Sequence, residues 1–379
     1  MRFIFLHVVL LAALLSGCPE GPASIDTPSN NPFMTPNSTT DGGTPENNAK
    51  LDAGSGPATS DMDAGAIALQ TTDGGPTGTP TLYVPCEGEW VFVVNNELVP
   101  VDSSPVTDAG VLGNFETYWS CDLLFLKSLA DNSGLTTPIL EVGSQSWADG
   151  RLTNLYAGNS GLSGPLSPRV GDAGELLNLS LSQNQLEGPI PDSITRLTNL
   201  TFLNLGSNRL SGSIPEQMGE LHQLNTLDLR VNQLEGSIPE SLSSITNLRY
   251  LLLSHNDLTG PFPPTLALLG DLRSIELFQN ELSGPLPPDI GNLNKLQYLS
   301  ISNNQFSGPL PPTLNQLVEL TRLLVADNEF EGFVDETICT LNIDWESDNF
   351  SISNNNLCPA YPSCINTLMG NQDTASCGN

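Results

Sequence analysis

Residues 200–223 read LTFLNLGSNRLSGSIPEQMGELHQ, and the same 24-residue pattern recurs along the second half of the chain. Its framework is L-x-x-L-x-L-x-x-N-x-L-x-G-x-I-P, with Leu or Phe in place of Ile in some copies. The Asn recurs at a constant interval, at Asn184, Asn208, Asn232, Asn256, Asn280, Asn304 and Asn328. A regular period of roughly 20–29 residues predicts a solenoid in which each repeat stacks on its neighbours.

The framework positions have a structural explanation. Leu203 and Leu205 alternate as in a short strand with one side buried, and such strands can stack into a parallel ladder at about 4.8 Å spacing. The repeated Asn carries an acceptor and two donors, so stacked copies can satisfy backbone groups where the chain leaves the strand. Gly212 permits a turn that a Cβ would block, and Pro215 sets φ before the return segment. We therefore assign these positions to the framework and not to ligand binding.

The L-x-G-x-I-P ending resembles the plant-type leucine-rich repeats of receptor-kinase ectodomains and polygalacturonase-inhibiting proteins. The resemblance covers about residues 150–358, more than half of the chain. It implies an α/β solenoid, a leucine-rich-repeat horseshoe or superhelix with a parallel β-sheet on the concave face. A second short strand is implied near the G-x-I-P turn. We expect about nine repeats, capped at both ends, and the resemblance implies binding rather than catalysis.

The chain is strongly acidic. It holds 42 Asp and Glu against 12 Lys and Arg, a net charge of −30. Residues 151–379 alone carry 24 acidic and 9 basic side chains, which makes this part −15. Such a field repels phosphate groups, so neither nucleic acid nor an anionic membrane surface is expected as a partner.

Residues 1–18 predict an export signal. Arg2 precedes an apolar run over residues 3–15, which is too short to span a bilayer comfortably. The sequence Leu15-Ser16-Gly17-Cys18 resembles the bacterial lipobox, which implies cleavage before Cys18 and lipidation of that residue. The alternative is an ordinary signal peptide that contains a cysteine. We expect an exported protein held at the bacterial outer membrane or cell surface, with membrane contact only through the lipid on Cys18.

Residues 19–81 predict a disordered tether, because Thr, Ser, Asn, Gly, Pro and Ala dominate and bury too little apolar surface to fold. A three-residue motif, Asp followed by Ala or Gly and then by Gly, begins at Asp41, Asp52, Asp63 and Asp73. Calcium binding is the alternative interpretation of such triplets. Their wide spacing and the lack of alternating carboxylates favour a solvated tether.

Residues 82–150 predict an N-terminal cap region. Short strands are predicted at residues 82–84, 90–94 and 98–99, with a turn at 95–96. A helix is predicted over residues 118–130. The run over residues 121–127 is similar to the cap helix of plant-type repeat proteins, and Trp147 resembles its junction with the first repeat. The paired cysteines that this family usually carries after the Trp are absent.

The repeats occupy residues 151–357, and residues 358–379 predict a C-terminal cap. The first repeat begins at Leu152, where Ser160 replaces the framework Asn. The ninth, around Phe350 and Asn355, follows its predecessor after a longer interval than the constant one of the other copies. The cysteine-containing segment that begins at Cys358 resembles the C-terminal cap of the polygalacturonase-inhibitor group.

Six cysteines remain after Cys18 and cluster at the two ends of the solenoid: Cys86, Cys121, Cys339, Cys358, Cys364 and Cys377. An even number in an exported chain favours disulfides that close the caps. We favour Cys86–Cys121 and two bonds among the last four, although six cysteines allow about 15 pairings. Zinc is disfavoured because no C-x-x-C pair occurs and His222 and His255 are the only histidines outside the signal. No metal or other cofactor is expected.

Large and charged side chains concentrate on the middle of the predicted concave face. The candidate ligand-binding residues are Phe202, Arg230, Tyr250, Leu252, His255, Glu276, Phe278, Tyr298 and Arg322. Exposed aromatic side chains together with Arg are typical of interface hot spots. The alternative is an ordinary decorated surface, because strands favour aromatic residues in any case.

Catalysis has little support. Asp228 and Glu276 lie two repeats apart, about 10 Å by strand spacing, which would suit an inverting glycosidase pair on distance alone. We expect an open sheet without a cleft neither to desolvate this pair nor to raise either pKa. No catalytic residue is therefore assigned, and no enzyme activity is expected.

These observations predict a non-enzymatic cell-envelope lipoprotein whose solenoid binds a protein or peptide ligand through the concave face, in recognition or adhesion. A glycan or cell-wall polysaccharide binder is the first alternative, since the aromatic residues would allow it. A passive structural spacer is the second.

Overall fold

The computed structural model describes residues 86–94, 97–100, 117–375 and 377. The export signal with Cys18, the tether, the strand expected at residues 82–84 and the turn at 95–96 lie outside the described residues and remain predictions.

Short strands dominate the described part of the chain. In chain order they are β1 (Trp90–Val94), β2 (Glu97–Pro100), β3 (Tyr118–Trp119), β4 (Ser144–Ala148), β5 (Arg151–Tyr156), β6 (Ser163–Pro165), β7 (Asn178–Ser180), β8 (Gln185–Pro189), β9 (Phe202–Asn204), β10 (Arg209–Ser213), β11 (Thr226–Asp228), β12 (Gln233–Gly236), β13 (Tyr250–Leu252), β14 (Asp257–Gly260), β15 (Ser274–Glu276), β16 (Glu281–Gly284), β17 (Tyr298–Ser300), β18 (Gln305–Gly308), β19 (Arg322–Leu324), β20 (Glu329–Phe333), β21 (Phe350–Ser351) and β22 (Asn356–Cys358).

An α-helix, α1 (Ser120–Asn132), precedes the repeats, and a single turn of 3₁₀ helix lies in each return segment. The 3₁₀ segments of the return segments are Pro168–Asp172, Asp192–Arg196, Glu216–Glu220, Glu240–Ser244, Pro264–Leu268, Pro288–Asn292, Pro312–Gln316 and Glu336–Thr340, and a further one, Ile139–Glu141, lies in the cap region.

The repeat strands form two long sheets. Ten strands build the first, in the order β21-β19-β17-β15-β13-β11-β9-β7-β5-β4, and nine build the second, from β22 to β6. All repeat strands pair in parallel and in register, so that Leu203 lies between Leu179 and Leu227. The predicted α/β solenoid with its second strand per repeat is confirmed. The sequence did not predict β4, which pairs antiparallel with β5 and extends the first sheet by one strand.

The framework leucines form one continuous core along the stack. Leu203, Leu205 and Leu210 are fully buried, as are their counterparts in neighbouring repeats. Each such side chain contributes roughly 1.5–3 kcal/mol by leaving water, and no repeat can bury its leucines without the next one. Phe306 and Phe330 extend the core, with stacked rings whose centroids lie 6.2 Å apart.

The predicted Asn ladder is present. Asn208 donates through Nδ2 to the carbonyl oxygens of Leu181 and Leu205, at 3.0 and 2.9 Å. Its Oδ1 accepts the backbone N–H of Leu186 at 3.0 Å. The same bonds recur from Asn184 to Asn355, so each Asn satisfies backbone groups of its own repeat and of the preceding one.

The turn after each ladder residue also follows the prediction. Gly212 has φ of 73°, a left-handed conformation that a Cβ would strain. Pro215 caps the 3₁₀ segment Glu216–Glu220 with φ of −56°. This turn carries the chain from the second sheet back to the start of the next strand of the first.

The N-terminal cap is joined to the first repeat by a buried ion pair. Helix α1 begins two residues later than predicted, because Tyr118 and Trp119 pair with β1 as β3. The fully buried carboxylate of Asp122 accepts from Arg151 Nε at 2.9 Å and from the backbone N–H of Leu152 at 2.8 Å. Burial raises the pKa of Asp122, and the bonds from Arg151 and Leu152 oppose this rise.

Disulfides close both ends, as predicted. The described residues contain the pairs Cys86–Cys121, Cys339–Cys364 and Cys358–Cys377. The strands β1 and β2 were also predicted, and they pair antiparallel. Within the described ranges, no helix has the length and apolar character needed to cross a membrane.

Candidate ligand-binding face

We call the solvent-facing side of the ten-stranded sheet the strand face. It includes the residue directly after each strand's last framework leucine, such as Gly206, Arg230, Ser254 and Phe278. In-register pairing aligns its side chains into rows across the repeats. One row runs from Phe202 through Thr226 to Tyr250, and a parallel row runs from Asp228 through Leu252 to Glu276. Neighbours in a row are one strand spacing apart, about 4.8 Å.

Arg230 ties two carboxylates of the strand face together. Its Nε and Nη2 donate to the two oxygens of Asp228, at 3.0 and 2.8 Å. Its Nη1 donates to Glu276 Oε2 at 3.0 Å, two strands away. Burial by itself lowers the pKa of Arg230, but the contacts with Asp228 and Glu276 outweigh burial and raise it. Arg230 is therefore held within the domain as an ion-paired cation.

The expectation that an open sheet raises no carboxyl pKa is wrong for Glu276. Its side chain is only 14% exposed, because Arg230 bonds to it and Leu252 and Ser300 stand beside it on the adjacent strands. Burial raises the pKa of Glu276, and the charge and hydrogen bond of Arg230 offset part of that rise. The two carboxylates share one guanidinium, whereas an inverting pair must leave room for a water between them.

Tyr298 and Arg322 form a second pair at one side of this cluster. The guanidinium carbon of Arg322 lies 5.0 Å from the centroid of the Tyr298 ring, within cation–π range. Arg322 Nε is buried and has no hydrogen-bond partner among the described residues. Burial, followed by the charge of Glu276, raises the pKa of the Tyr298 hydroxyl.

A depression of about 280 Å³ opens next to Arg230. Its lining residues are Ser182, Gln183, Asn204, Gly206, Ser207, Asp228, Arg230, Val231, Ser254, His255 and Phe278. His255 and Phe278 pack edge to face, with ring centroids 4.8 Å apart. Burial and the charge of Arg230 lower the pKa of His255, which favours the neutral ring.

The predicted site residues divide into two groups. Arg230, His255 and Phe278 line the depression, and Glu276 adjoins it through Arg230. The remaining predicted residues lie elsewhere on the strand face: Phe202, Tyr250, Leu252, Tyr298 and Arg322.

Eight of the eleven lining residues were not among the predicted site residues: Ser182, Gln183, Asn204, Gly206, Ser207, Asp228, Val231 and Ser254. A signal for Gly206 was present in the repeat. Its register position carries Ser182, Arg230, Ser254 and Phe278 in other repeats, so a glycine there leaves a gap in the row.

Val231 is a strained residue at the rim of the depression. It has φ of 56°, a left-handed conformation that β-branched side chains rarely adopt, and it is 46% exposed. The equivalent residues of other repeats share this conformation but are Gln183, Ser207, His255, Gln279, Asn303 and Asp327.

No group of three or more His, Cys, Asp or Glu side chains that could hold a metal ion is found in the described part of the chain.

The comparisons with known proteins concern the repeat region. The family model described as Leucine Rich Repeat matches residues 175–197, 199–221, 223–245, 247–269, 271–293 and 295–317. No curated protein matches the sequence at a significant level.

Several solved ectodomains share the fold. The ectodomain of the Arabidopsis thaliana membrane receptor kinase GASSHO1/SCHENGEN3, solved with CASPARIAN STRIP INTEGRITY FACTOR 2, is 35% identical with a TM-score of 0.54, over 57% of this chain and 26% of that one. A TDR receptor is 32% identical with a TM-score of 0.51, over 54% and 35%. The Arabidopsis receptor kinase HAESA ectodomain, solved with an IDA peptide hormone ligand, is 26% identical with a TM-score of 0.52, over 65% and 48%.

The matched region spans less than half of each of these receptor chains, so the likeness concerns the repeats and not a whole receptor. Residues 175–317 of this chain are leucine-rich repeats, and their plant-type pattern resembles that of receptor-kinase ectodomains.

Proposed function

We propose that this chain is a non-enzymatic recognition protein that binds an extended peptide, or an extended segment of a protein, along the strand face. The observation that carries the proposal is the alignment of half-buried aromatic side chains beside a polar depression on one continuous sheet. Phe202, Tyr250 and Tyr298 stand on the first outward position of every second strand. An extended chain laid across the strands would meet one of these rings about every 10 Å.

The chemistry of the face suits a peptide. Aromatic rings supply large contact area with few rotatable bonds, and the depression beside them offers oriented hydrogen-bonding groups. HAESA, whose ectodomain resembles the repeat region, was solved with a peptide hormone ligand, which supports this ligand class.

A glycan is the second candidate, because sugar rings also stack on aromatic side chains. The structure weakens this candidate at Tyr298, since one side of that ring is covered by the guanidinium of Arg322. Among the described residues, none places a guanidinium over the ring of Tyr250, so glycan binding would depend on Tyr250.

The test is a selection of peptides from a displayed random library against the purified full chain, followed by measurement of Kd for the peptides obtained. The triple variant Phe202→Ala, Tyr250→Ala, Tyr298→Ala should weaken binding at least about 100-fold, because a hot-spot ring is worth about 2 kcal/mol or more.

A matched control keeps the loss of apolar surface but moves it off the strand face. Leu268, Val318 and Phe333 are 75%, 69% and 68% exposed and lie in the return segments and the second sheet. The triple variant of these three residues to Ala should bind with unchanged Kd. Equal Kd for the two triple variants would remove the strand face as the site. If the chain selects no peptide but binds glycans through Tyr250, the ligand is a glycan. If it binds neither, the protein is a structural spacer.

We also propose that the protein is a cell-envelope lipoprotein anchored through Cys18, on the strength of the lipobox-like sequence. Expression in a bacterium fed an alkyne-tagged fatty acid tests this. The wild-type chain should carry the label and Cys18→Ser should not. An unlabelled wild-type chain would mean that residues 1–18 are an ordinary signal peptide.

A further inference from the structure

Gly206 lies on the floor of the depression, at a position where acceptor oxygens of three lining residues would crowd a side chain. A Cβ built on Gly206 would lie 3.1 Å from Asp228 Oδ1 and 3.2 Å from both Asn204 Oδ1 and the carbonyl oxygen of Arg230. All three nearest atoms are hydrogen-bond acceptors. The backbone of Gly206 lies outside the left-handed region, so its φ does not require glycine here.

The side-chain oxygens of this floor retain capacity for a further donor. Asn204 Oδ1 accepts the backbone N–H of Gly206 at 2.9 Å, and an amide oxygen has two lone pairs. The Asp228 carboxylate accepts from the backbone N–H, Nε and Nη2 of Arg230, and a carboxylate offers about four acceptor sites. Each group can therefore accept one more bond.

A separate observation points to a missing partner. Ser254 lines the same depression, is fully buried, and its hydroxyl has no hydrogen-bond partner among the described residues. A buried polar group left unpaired is unfavourable, and a ligand donor that reaches this hydroxyl from the depression would give it a partner.

The local charge selects the sign of the ligand. Asp228 and Arg230 both line the depression and balance each other, so the excess negative charge comes from Glu276, which pairs with Arg230 next to the depression, and from residues 151–379, which are −15 overall. Because its pKa is lowered, His255 adds little positive charge at neutral pH. An anion would meet acceptor oxygens and an excess of negative charge, whereas a cationic N–H donor would be attracted by both.

We infer that the depression over Gly206 binds a positively charged N–H donor of the ligand, the ammonium of a lysine or the guanidinium of an arginine side chain. This inference rests on the proposed peptide-binding function and specifies which side chain the face selects. The ligand's methylene stem packs along Val231 and Phe278, and its charged end donates to the oxygens around Gly206 and to Ser254.

The experiment titrates the isotope-labelled full chain with Nα-acetyl-lysine N-methylamide and records amide shifts of residues 206, 207 and 255. The neutral probe Nα-acetyl-norleucine N-methylamide has the same stem without the ammonium. We expect the lysine probe to shift these amides saturably, and the norleucine probe to bind at least about tenfold more weakly, because hydrogen bonds to a charged donor are lost.

Two variants test the site itself. Gly206→Ala puts a methyl group against the acceptor oxygens and should weaken the lysine probe at least about tenfold. Ser254→Ala should also weaken it, without loss of any internal hydrogen bond of the described chain. The matched control is Gly270→Ala, which adds the same methyl group just after the 3₁₀ segment Pro264–Leu268, outside the depression, at a glycine whose φ is not left-handed and whose added Cβ would meet no atom of the described residues within 4 Å beyond its chain neighbours. It should leave Kd for the lysine probe unchanged.

The outcomes separate this inference from the proposed function. Equal affinity for the two probes, or unchanged Kd in Gly206→Ala and Ser254→Ala, overturns the inference even when library peptides still bind through the aromatic row. Peptide binding that is lost in the aromatic triple variant while the lysine probe still binds supports both. Tighter binding of spermidine than of the lysine probe, or the same shifts with Ca²⁺ alone, would overturn the assignment to a peptide side chain.

Discussion

The Asn ladder and the polar residues that line the depression lie close together in the chain, but they differ in how completely they are hydrogen-bonded. Asn256 of the ladder is buried and donates to the carbonyl oxygens of Leu229 and Leu253, at 3.1 and 3.0 Å, while its Oδ1 accepts from Leu234 at 3.0 Å. Ser254, two positions earlier, is also buried, yet its hydroxyl is unpaired among the described residues.

This difference distinguishes a framework polar residue from a recognition residue in a repeat protein. A ladder Asn meets the same partners in each repeat, because the partners are backbone groups whose position the period reproduces. The groups around Gly206 meet partners that differ from repeat to repeat, so some acceptors are left for a ligand. Saturation of hydrogen bonding, rather than burial, marks the difference.

The largest effect on stability is expected from removing one residue of the hydrogen-bonded Asn ladder. Asn256→Ala removes hydrogen bonds to backbone groups of two repeats and leaves those groups buried without partners. The free energy of unfolding should fall by about 3–5 kcal/mol, measured by urea denaturation. Asp257→Ala, at the next, exposed position, is the control and should change it by less than about 0.5 kcal/mol. A loss below about 1 kcal/mol in Asn256→Ala would mean that the ladder is not what holds the repeats together.

A smaller effect is expected from removing the cation of the depression. Arg230→Ala leaves Asp228 and Glu276 close together without their shared partner. Breaking a fully buried pair costs about 3–5 kcal/mol, and because the Arg230 side chain is 38% exposed we expect about 1–2 kcal/mol at pH 7. Arg322→Ala removes a guanidinium of the same face that makes a cation–π contact and no ion pair with the described residues, and it should cost less.

The stability of Arg230→Ala should depend on pH in a defined way. The pKa of Glu276 is already raised from its ordinary value of 4.5, and Arg230 lowers it, so its removal should raise this pKa further. A carboxyl group with a raised folded-state pKa contributes stability that is fully present below the unfolded value and is lost as pH rises through the folded value. The stability difference between Arg230→Ala and the wild type should therefore shrink as pH falls towards 4.5.

Carbon-detected NMR of the Glu276 side chain measures this shift directly. The charged and titratable groups that act on Glu276 are Asp228, Arg230, Tyr298 and Arg322, and His255 is the nearby group that titrates in the neutral range. Removing His255 in parallel, as His255→Gln, isolates the carboxyl titration. An unchanged Glu276 pKa in Arg230→Ala would contradict the ion-pair geometry.

The smallest effect, and one of opposite sign, is expected at the rim. Val231→Asn relieves a β-branched residue in a left-handed conformation and should stabilise the chain by about 1 kcal/mol, measured by urea denaturation. The reciprocal change, Asn303→Val, puts Val at the same register position of a repeat that tolerates Asn and should destabilise by a similar amount. If both changes leave stability the same, backbone strain at this position is negligible.

Much of the fold was predictable from a few positions. Leu203, Asn208 and Gly212 each have one role, and every repeat presents that role again, so one chemical argument covers the whole stack. The pairing of Cys86 with Cys121 was also accessible, since these two cysteines precede the repeats and the other four follow them or lie in the last repeats. Strand β4 was missed because its residues alternate weakly and carry no framework leucine.

The candidate site was predictable only in part. The outward positions of the register correctly placed Arg230, Glu276 and Phe278 on one face. The sequence did not show that Arg230 reaches over Leu252 to Glu276, two repeats along the chain, or that this contact buries a carboxylate. It also treated Arg230 as a cation open to a ligand, whereas the folded chain already pairs it.

The sequence by itself determined the period, the strand and turn of each repeat, the saturated Asn ladder and the face on which variable residues stand. These follow from contacts between residues one period apart, and the same local pattern repeats at that distance. Only the tertiary structure decided which variable side chains meet across non-adjacent strands, which charge they leave in excess and which acceptor oxygens gather around Gly206. Those outcomes depend on the reach and rotamer of individual side chains in the assembled stack, and no period in the sequence encodes them.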